Sequence, residues 1–237
     1  MPITIDVRSG AEVAVLDAAF ADLRMVDELF STFREDSLVS RINAGRLRVG
    51  DAGPLVDEVL ALCDRYEAMT RGYFSPWRAG VFDPSGLVKG WAIARVAEKL
   101  DRHGCRDYFV DAAGDVRTRG HSTPGSPWRV GIRHPVQRDK VARVVLATDL
   151  AVATSGTYEK GAHIYDPHTG KAATAILSMS VIGPDILEAD VLATATFAMG
   201  LDGLTFIEEH PGYEAFAIDH DMRGYETSGF ASHCAPM

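Results

Sequence analysis

The 237-residue sequence holds only three cysteines, Cys63, Cys105 and Cys234. Their odd number leaves any single disulfide scheme incomplete, and none lies at the close spacing of a metal-ligand pair. Reduced thiols follow, and with them a cytoplasmic setting. Positive charge is also short: 24 Lys and Arg stand against 33 Asp and Glu, a formal net charge of -9. Such a balance gives no broad attraction to nucleic acid or to an anionic membrane, so an anionic ligand needs local donors or a metal. Long apolar runs are missing too, and nothing approaches the ~20 residues that cross a bilayer. No stable membrane insertion is expected. The opening MPITIDVRSG lacks a basic region followed by a sustained apolar core, which argues against a secretory signal.

What remains is an ordinary globular composition, 46% hydrophobic and 24% charged. A short strand is expected near ITIDV. Residues 12–30 carry Val15, Ala19, Leu23, Val26 and Phe30 at helical spacing, and STFREDSLVSRINAG then turns polar and irregular. Pro54 stands near the start of a second helical pattern through Leu55, Val59, Cys63, Tyr66 and Met69. A third helix is expected after Pro84 to about Leu100, with Gly104 beyond its end. From about residue 107 short apolar strands take over: DYFV, WRVGI, ARVVLA, AILSMSVI and YEAFAID. Among them LEADVLATATFAM reads as another helix, with Leu187, Val191, Ala195 and Ala198 close to one face. The strands are too closely spaced for helical crossovers throughout, so the class is α+β, with mixed sheets and packed helices. No repeat or linker divides the chain, and residues 1–237 are read as one domain.

Three stretches carry chemistry. In FDPSGLVKGWA, Asp83, Gly86 and Lys89 precede or open a helix. A lysine ammonium can meet a phosphate oxygen, and glycine lets backbone approach a ligand closely. The same residues serve equally as a helix cap, a relief of crowding and a solvated charge. In LEADVLATATFAMG, Asp190 and Thr194 lie four apart, so a helix sets an anionic and a neutral oxygen on neighbouring turns. That pair suits Mg2+, which seeks six oxygens at about 2.1 Å and commonly keeps waters beside phosphate; ordinary capping or helix chemistry uses the same residues.

In HIYDPHTG, His163 can move or orient a proton near neutral pH and Asp166 can support it. Asp166-Pro167 and Thr169-Gly170 are also good turn chemistry, with His168 on the turn's exposed part. Phe33, Tyr73, Phe74 and Trp77 offer faces for a flat ring or, for Phe74 and Trp77 especially, filling between helices and strands. VDAAGDVRTRG and ATSGTYEKGA add small turns where backbone amides can approach phosphate, and neither has the dinucleotide-binding fingerprint.

Taken in order, LFSTFREDSLVSRIN, DPSGLVKGWA, FVDAAGDVRTRG, WRVGIRHP, ATSGTYEKGAHIYDPHTG and EADVLATATFAMG resemble the ApbE family of FAD:protein FMN transferases. The resemblance covers most of residues 26–200. It implies an ApbE-like, T-fold-related α+β enzyme that uses Mg2+ to cleave the FAD pyrophosphate and passes FMN to a threonine of a flavin-acceptor protein, leaving AMP. Carried onto this sequence, it puts Asp83 and Lys89 beside FAD. Gly86 becomes a backbone ligand to Mg2+, with Asp190 and Thr194 as side-chain ligands. His163 falls near the acceptor hydroxyl, and Asp166, Thr169 and Gly170 form a support loop. Ser155, Gly156 and Thr157 shape the flavin pocket.

Where the family commonly has tyrosine in an FSTY-like segment this chain has Phe33, which keeps the ring but lacks its donor. Where it has an acid in a GAFD-like segment this chain has Ser75, beside Tyr73 and Phe74, and a methionine-glycine-threonine element before the first helix is absent from a shortened N-terminal region. Two other activities share these residues: an FAD pyrophosphatase that uses water, and a non-catalytic FAD-binding carrier.

Overall fold

Val15, Ala19, Leu23, Val26 and Phe30 are all buried, and they form the inner stripe of a helix over Val13–Phe30. That stripe is one side of the main core. The computed structural model describes residues 1–8, 10–137, 139–156 and 164–236. In chain order the elements are β1 (Ile3–Val7), α1 (Val13–Phe30), α2 (Leu38–Asn43), α3 (Pro54–Met69), β2 (Trp77–Arg78), β3 (Val81–Phe82) and α4 (Ser85–Arg102). There follow β4 (Tyr108–Ala112), β5 (Asp115–Arg119), β6 (Trp128–Arg133), β7 (Val141–Ala147), β8 (Ala151–Gly156), β9 (Tyr165–Asp166) and β10 (Lys171–Ala172). The chain closes with β11 (Ser178–Gly183), α5 (Ile186–Met199), α6 (Asp202–Glu208), β12 (Glu214–Ile218) and β13 (Gly224–Glu226).

A seven-stranded sheet, ordered β1-β4-β5-β8-β11-β12-β13, is antiparallel at every pairing. Because side chains alternate across a strand, β8, β11 and β12 each serve two cores. Ala151 and Ala153 of β8, Met179 and Val181 of β11, and Ala215 and Ala217 of β12 join the buried faces of α1, α3, α4 and α5. Val152, Ile182, Phe216 and Ile218 point the other way and pack with Trp128, Val130, Ile132 and Val145 of the β6-β7 hairpin and with Phe230. The architecture is the expected α+β one, with helices, sheet and hairpin in layers.

Elements with clear periodicity lie where their spacing places them, including a helix opened by Pro54 and a helix end followed by Gly104 at φ 79°. Others do not. The polar stretch after α1 contains α2, whose first turn is closed by Ser37 Oγ accepting from the Ser40 amide at 3.0 Å. The two small-turn segments contain β5 and β8, both in the sheet. The helix expected to bury one face, α5, is buried nearly all round, because it packs against α4, β8, β11 and α6; Leu187 and Ala198 of the expected face are only half-buried. The three cysteines are unpaired. Among the described residues no helix is long and apolar enough to cross a membrane.

Candidate active site

The site forms where α4 crosses α5. Gly90 of α4 sits so close to α5 that a Cβ there would lie 2.9 Å from Asp190 Cβ, from the Ile186 carbonyl oxygen and from Leu187 Cα. Only glycine fits such a backbone contact without a shift of the helices. The Gly90 amide donates to Asp190 Oδ2 at 2.8 Å, a bond inside the protein between two helices. In a regular α-helix that amide would serve the carbonyl four residues earlier, here Gly86. One turn up α4, a Cβ on Gly86 would lie 3.4 Å from the Thr194 methyl and 3.6 Å from its hydroxyl oxygen. Gly86, Asp190 and Thr194, separated by about a hundred residues of chain, therefore meet.

Lys89 reaches the same place. Its Nζ lies 2.5 Å from Asp115 Oδ2 and 3.6 Å from Asp190 Oδ1. Both carboxylates are almost inaccessible, Asp115 at 1% exposure and Asp190 at 3%. Burial pushes the Asp190 carboxyl up to about 7; Lys89 opposes that rise and the neighbouring Asp115 carboxylate adds to it. Asp115 Oδ1 accepts from the Thr154 amide at 3.0 Å, and Ser155 Oγ lies 3.4 Å from Thr194 Oγ1. The sheet thus delivers Asp115 and Ser155 from beneath, while the two helices deliver Gly86, Lys89, Asp190 and Thr194 from above.

The remaining expected residues divide. Phe74 is buried and packs 3.4 Å from where a Gly86 Cβ would stand, so it floors the site as a core residue. Asp83 Oδ1 accepts from the Ser85 amide at 3.0 Å in the turn that opens α4. Its own amide donates to the Pro76 carbonyl at 2.7 Å, which ties the segment from Tyr73 to Pro76 to the start of α4. Ser75 Oγ accepts from the Trp77 amide at 3.3 Å. Tyr73 meets His168 edge-on at 4.5 Å, and the Arg78 guanidinium lies over the Tyr165 ring. The segment after His163 therefore docks on the approach to α4, with Asp166 accepting from the His168 amide and the Thr169 hydroxyl. Phe33 lies on the loop after α1 and is 90% exposed. Gly156 ends β8, half-buried. Thr157 and His163 lie outside the described residues.

Sequence reading missed Gly90 and Asp115. Gly90 carried a signal, a glycine inside a helical pattern, which usually marks a close approach. Asp115 carried none beyond its place after a glycine turn.

The residues fit a hard divalent cation. Asp190, Thr194 and Gly86 offer only oxygen donors, the set that Mg2+ prefers, and Mg2+ commonly fills its remaining positions with phosphate and water. Gly86 keeps open the space over the Thr194 hydroxyl that any Cβ would take. Among the described residues no three His, Cys, Asp or Glu side chains gather as a ready-made metal cage; a cation on Asp190, Thr194 and Gly86 would have one carboxylate and would need phosphate or water for the rest.

A family model described as ApbE family matches residues 1–83 and 78–217. Among curated proteins, the FAD:protein FMN transferase of Vibrio cholerae serotype O1 is 32% identical over 161 residues, 62% of this chain and 48% of that protein. The FAD:protein FMN transferase of Haemophilus influenzae is 31% identical over 156 residues, 61% of this chain and 45% of that protein. The chain thus spans about half the length of the curated relatives it matches. Among solved structures, the flavin transferase ApbE from Vibrio cholerae superposes with a TM-score of 0.81 at 23% identity, covering 98% of this chain and 95% of that one. The ApbE protein from Thermotoga maritima superposes with a TM-score of 0.84 at 23% identity, covering 99% and 95%.

Proposed function

Because the chain belongs to the ApbE family, we propose that it is a Mg2+-dependent FAD:protein FMN transferase acting in the cytoplasm. The observation that carries this reading is the meeting of Gly86, Asp190 and Thr194 beside the Lys89 ammonium. FAD is the substrate, and the partner is a flavin-acceptor protein that presents a threonine. Asp190, Thr194 and the Gly86 carbonyl would hold Mg2+, which would supply charge withdrawal from a diphosphate oxygen.

Lys89 adds positive charge on the phosphate side, held by Asp115. Asp83 and the start of α4 border the nucleotide. Ser155, Gly156 and Thr157 border the flavin, with Tyr73, Phe74, Ser75 and Phe33 on its approach. His163 orients the acceptor threonine and accepts its hydroxyl proton. The threonine oxygen forms a bond to the phosphorus of the FMN half as the bond to the AMP oxygen breaks, which requires the two oxygens roughly in line. The products are an FMN phosphoester on the acceptor and AMP.

The test is incubation of the purified protein with FAD, Mg2+ and candidate flavin-domain proteins, followed by peptide-resolved mass measurement. FMN on an acceptor threonine with matching AMP is expected. AMP with free FMN instead would make the chain an FAD pyrophosphatase. FAD bound without AMP would make it a carrier.

A further inference from the structure

We propose that Asp115 is a positioning residue that draws the Lys89 ammonium to itself and keeps it beyond hydrogen-bond reach of Asp190 Oδ1, its second ion-pair partner at 3.6 Å, so that this oxygen can take a divalent cation. The proposal rests on the reading of Gly86, Asp190 and Thr194 as a cation site. Its ground is how firmly the fold fixes Asp115. The turn between β4 and β5 is the two residues Ala113 and Gly114, both left-handed at φ 53° and 97°, with Ala112 paired to Asp115 across it. A two-residue turn of that kind locks the register of its hairpin, and the register decides which face a side chain takes. Val116 goes to the hairpin core, and Asp115 goes to the helices.

Its two oxygens are then used differently. Oδ1 is held by the Thr154 amide of β8, and Oδ2 takes the ammonium. Among the described residues Oδ2 has no hydrogen bond apart from that ion pair, so the lysine cannot leave without stranding a buried anion, which is costly.

Two buried carboxylates thus face one ammonium, and it sits 2.5 Å from Asp115 against 3.6 Å from Asp190. The asymmetry matters because an ammonium on Asp190 and a cation on Asp190 exclude each other. In Asp115→Asn the Asp190 carboxylate is left as the nearer counter-charge, the ammonium closes on it, and the cation must displace the ammonium.

The experiment measures Mn2+ binding from the electron paramagnetic resonance signal of the free ion, with Mg2+ as competitor and no FAD. Asp115→Asn is expected to weaken binding about tenfold, as removal of a supporting group beside a metal site does. Adding Lys89→Gln to that variant is expected to restore affinity to within about twofold of the unsubstituted protein, because the two sites are coupled through the ammonium. A merely structural role for Asp115 would leave the double variant as weak as the single one. Unchanged binding in Asp115→Asn, or no recovery in the double variant, overturns the proposal alone. No Mn2+ binding by the unsubstituted protein overturns the cation reading and the proposal together. If Asp115→Asn does not fold, a crystal structure of the unsubstituted protein with Mn2+ decides: Lys89 Nζ still on Asp115 is expected, and Lys89 Nζ swung onto another group overturns it.

Discussion

Along β8 neighbouring residues part company: Ala151, Ala153 and Ser155 face the helices, while Val152 and Thr154 face the β6-β7 hairpin. The two faces of the sheet are filled in different ways. Toward the hairpin, Trp128, Phe216 and Phe230 supply bulk, with Phe109 edge-on to Trp128 at 5.2 Å and Phe216 stacked on Phe230 at 5.6 Å. Toward the helices, small residues let backbones approach, as Gly90 does at α5, and the space gained takes Lys89, Asp115 and Asp190. Rings are buried toward the helices as well, Trp91, Tyr108 and Phe197 among them, so bulk alone does not separate the two faces. What separates them is the close approach at Gly90, beside which charged groups are packed together at the cost of burying carboxylates.

The contrast can be broken by substitutions that should separate stability from binding. Phe230→Ala, in the hairpin-side core and fully buried, is expected to cost about 3–5 kcal/mol of unfolding free energy and to leave Mn2+ affinity unchanged; denaturant titration and Mn2+ binding check both. Asp190→Ala should do the reverse, weakening Mn2+ more than about 100-fold, beyond what loss of a supporting group does, in a chain that still folds by circular dichroism. Gly90→Ala lies where the two properties join. A methyl at 2.9 Å from α5 backbone is expected to cost about 1–3 kcal/mol by overpacking and to weaken Mn2+ as well, because it moves Asp190.

The smallest effect is one of pH. With its carboxyl raised to about 7, Asp190 holds a proton that the unfolded chain has lost between its ordinary carboxylate value and neutrality. The cation-free protein should therefore lose stability through this group as pH rises over that window. Cation binding needs the ionised form, so Mn2+ affinity should fall about tenfold between pH 8 and pH 6. A flat profile would contradict a raised Asp190 carboxyl acting as a ligand to the cation.

The helical face was only partly legible in the sequence. α1, α3 and α4 are amphipathic and show a period, and the strands of β6, β7, β11 and β12 are apolar enough to stand out. α5 showed a helix but misled about its face, because a helix buried on every side has no polar stripe to orient it. β5, with the sequence DVRTR, has one apolar residue, Val116, and buries the polar Asp115 and Thr118, so no apolar pattern marks it, and α2 is too short for a period.

Of the site, Asp190 and Thr194 were visible as an i, i+4 pair, and Gly86 and Lys89 as residues at a helix start. That they meet, and that Asp115 joins them, depends on the α4-α5 crossing and on the β4-β5 register. Both are long-range facts that no local window contains.

The central claim is that Gly86, Asp190 and Thr194 form one cation site. Anomalous scattering from crystals grown with Mn2+ and ADP tests it directly. The account predicts a single peak bracketed by the Gly86 carbonyl, an Asp190 carboxylate oxygen and the Thr194 hydroxyl, each at about 2.1 Å as for a hard octahedral ion. A well-ordered ADP with no peak there, or a Mn2+ peak held by other residues, would contradict it.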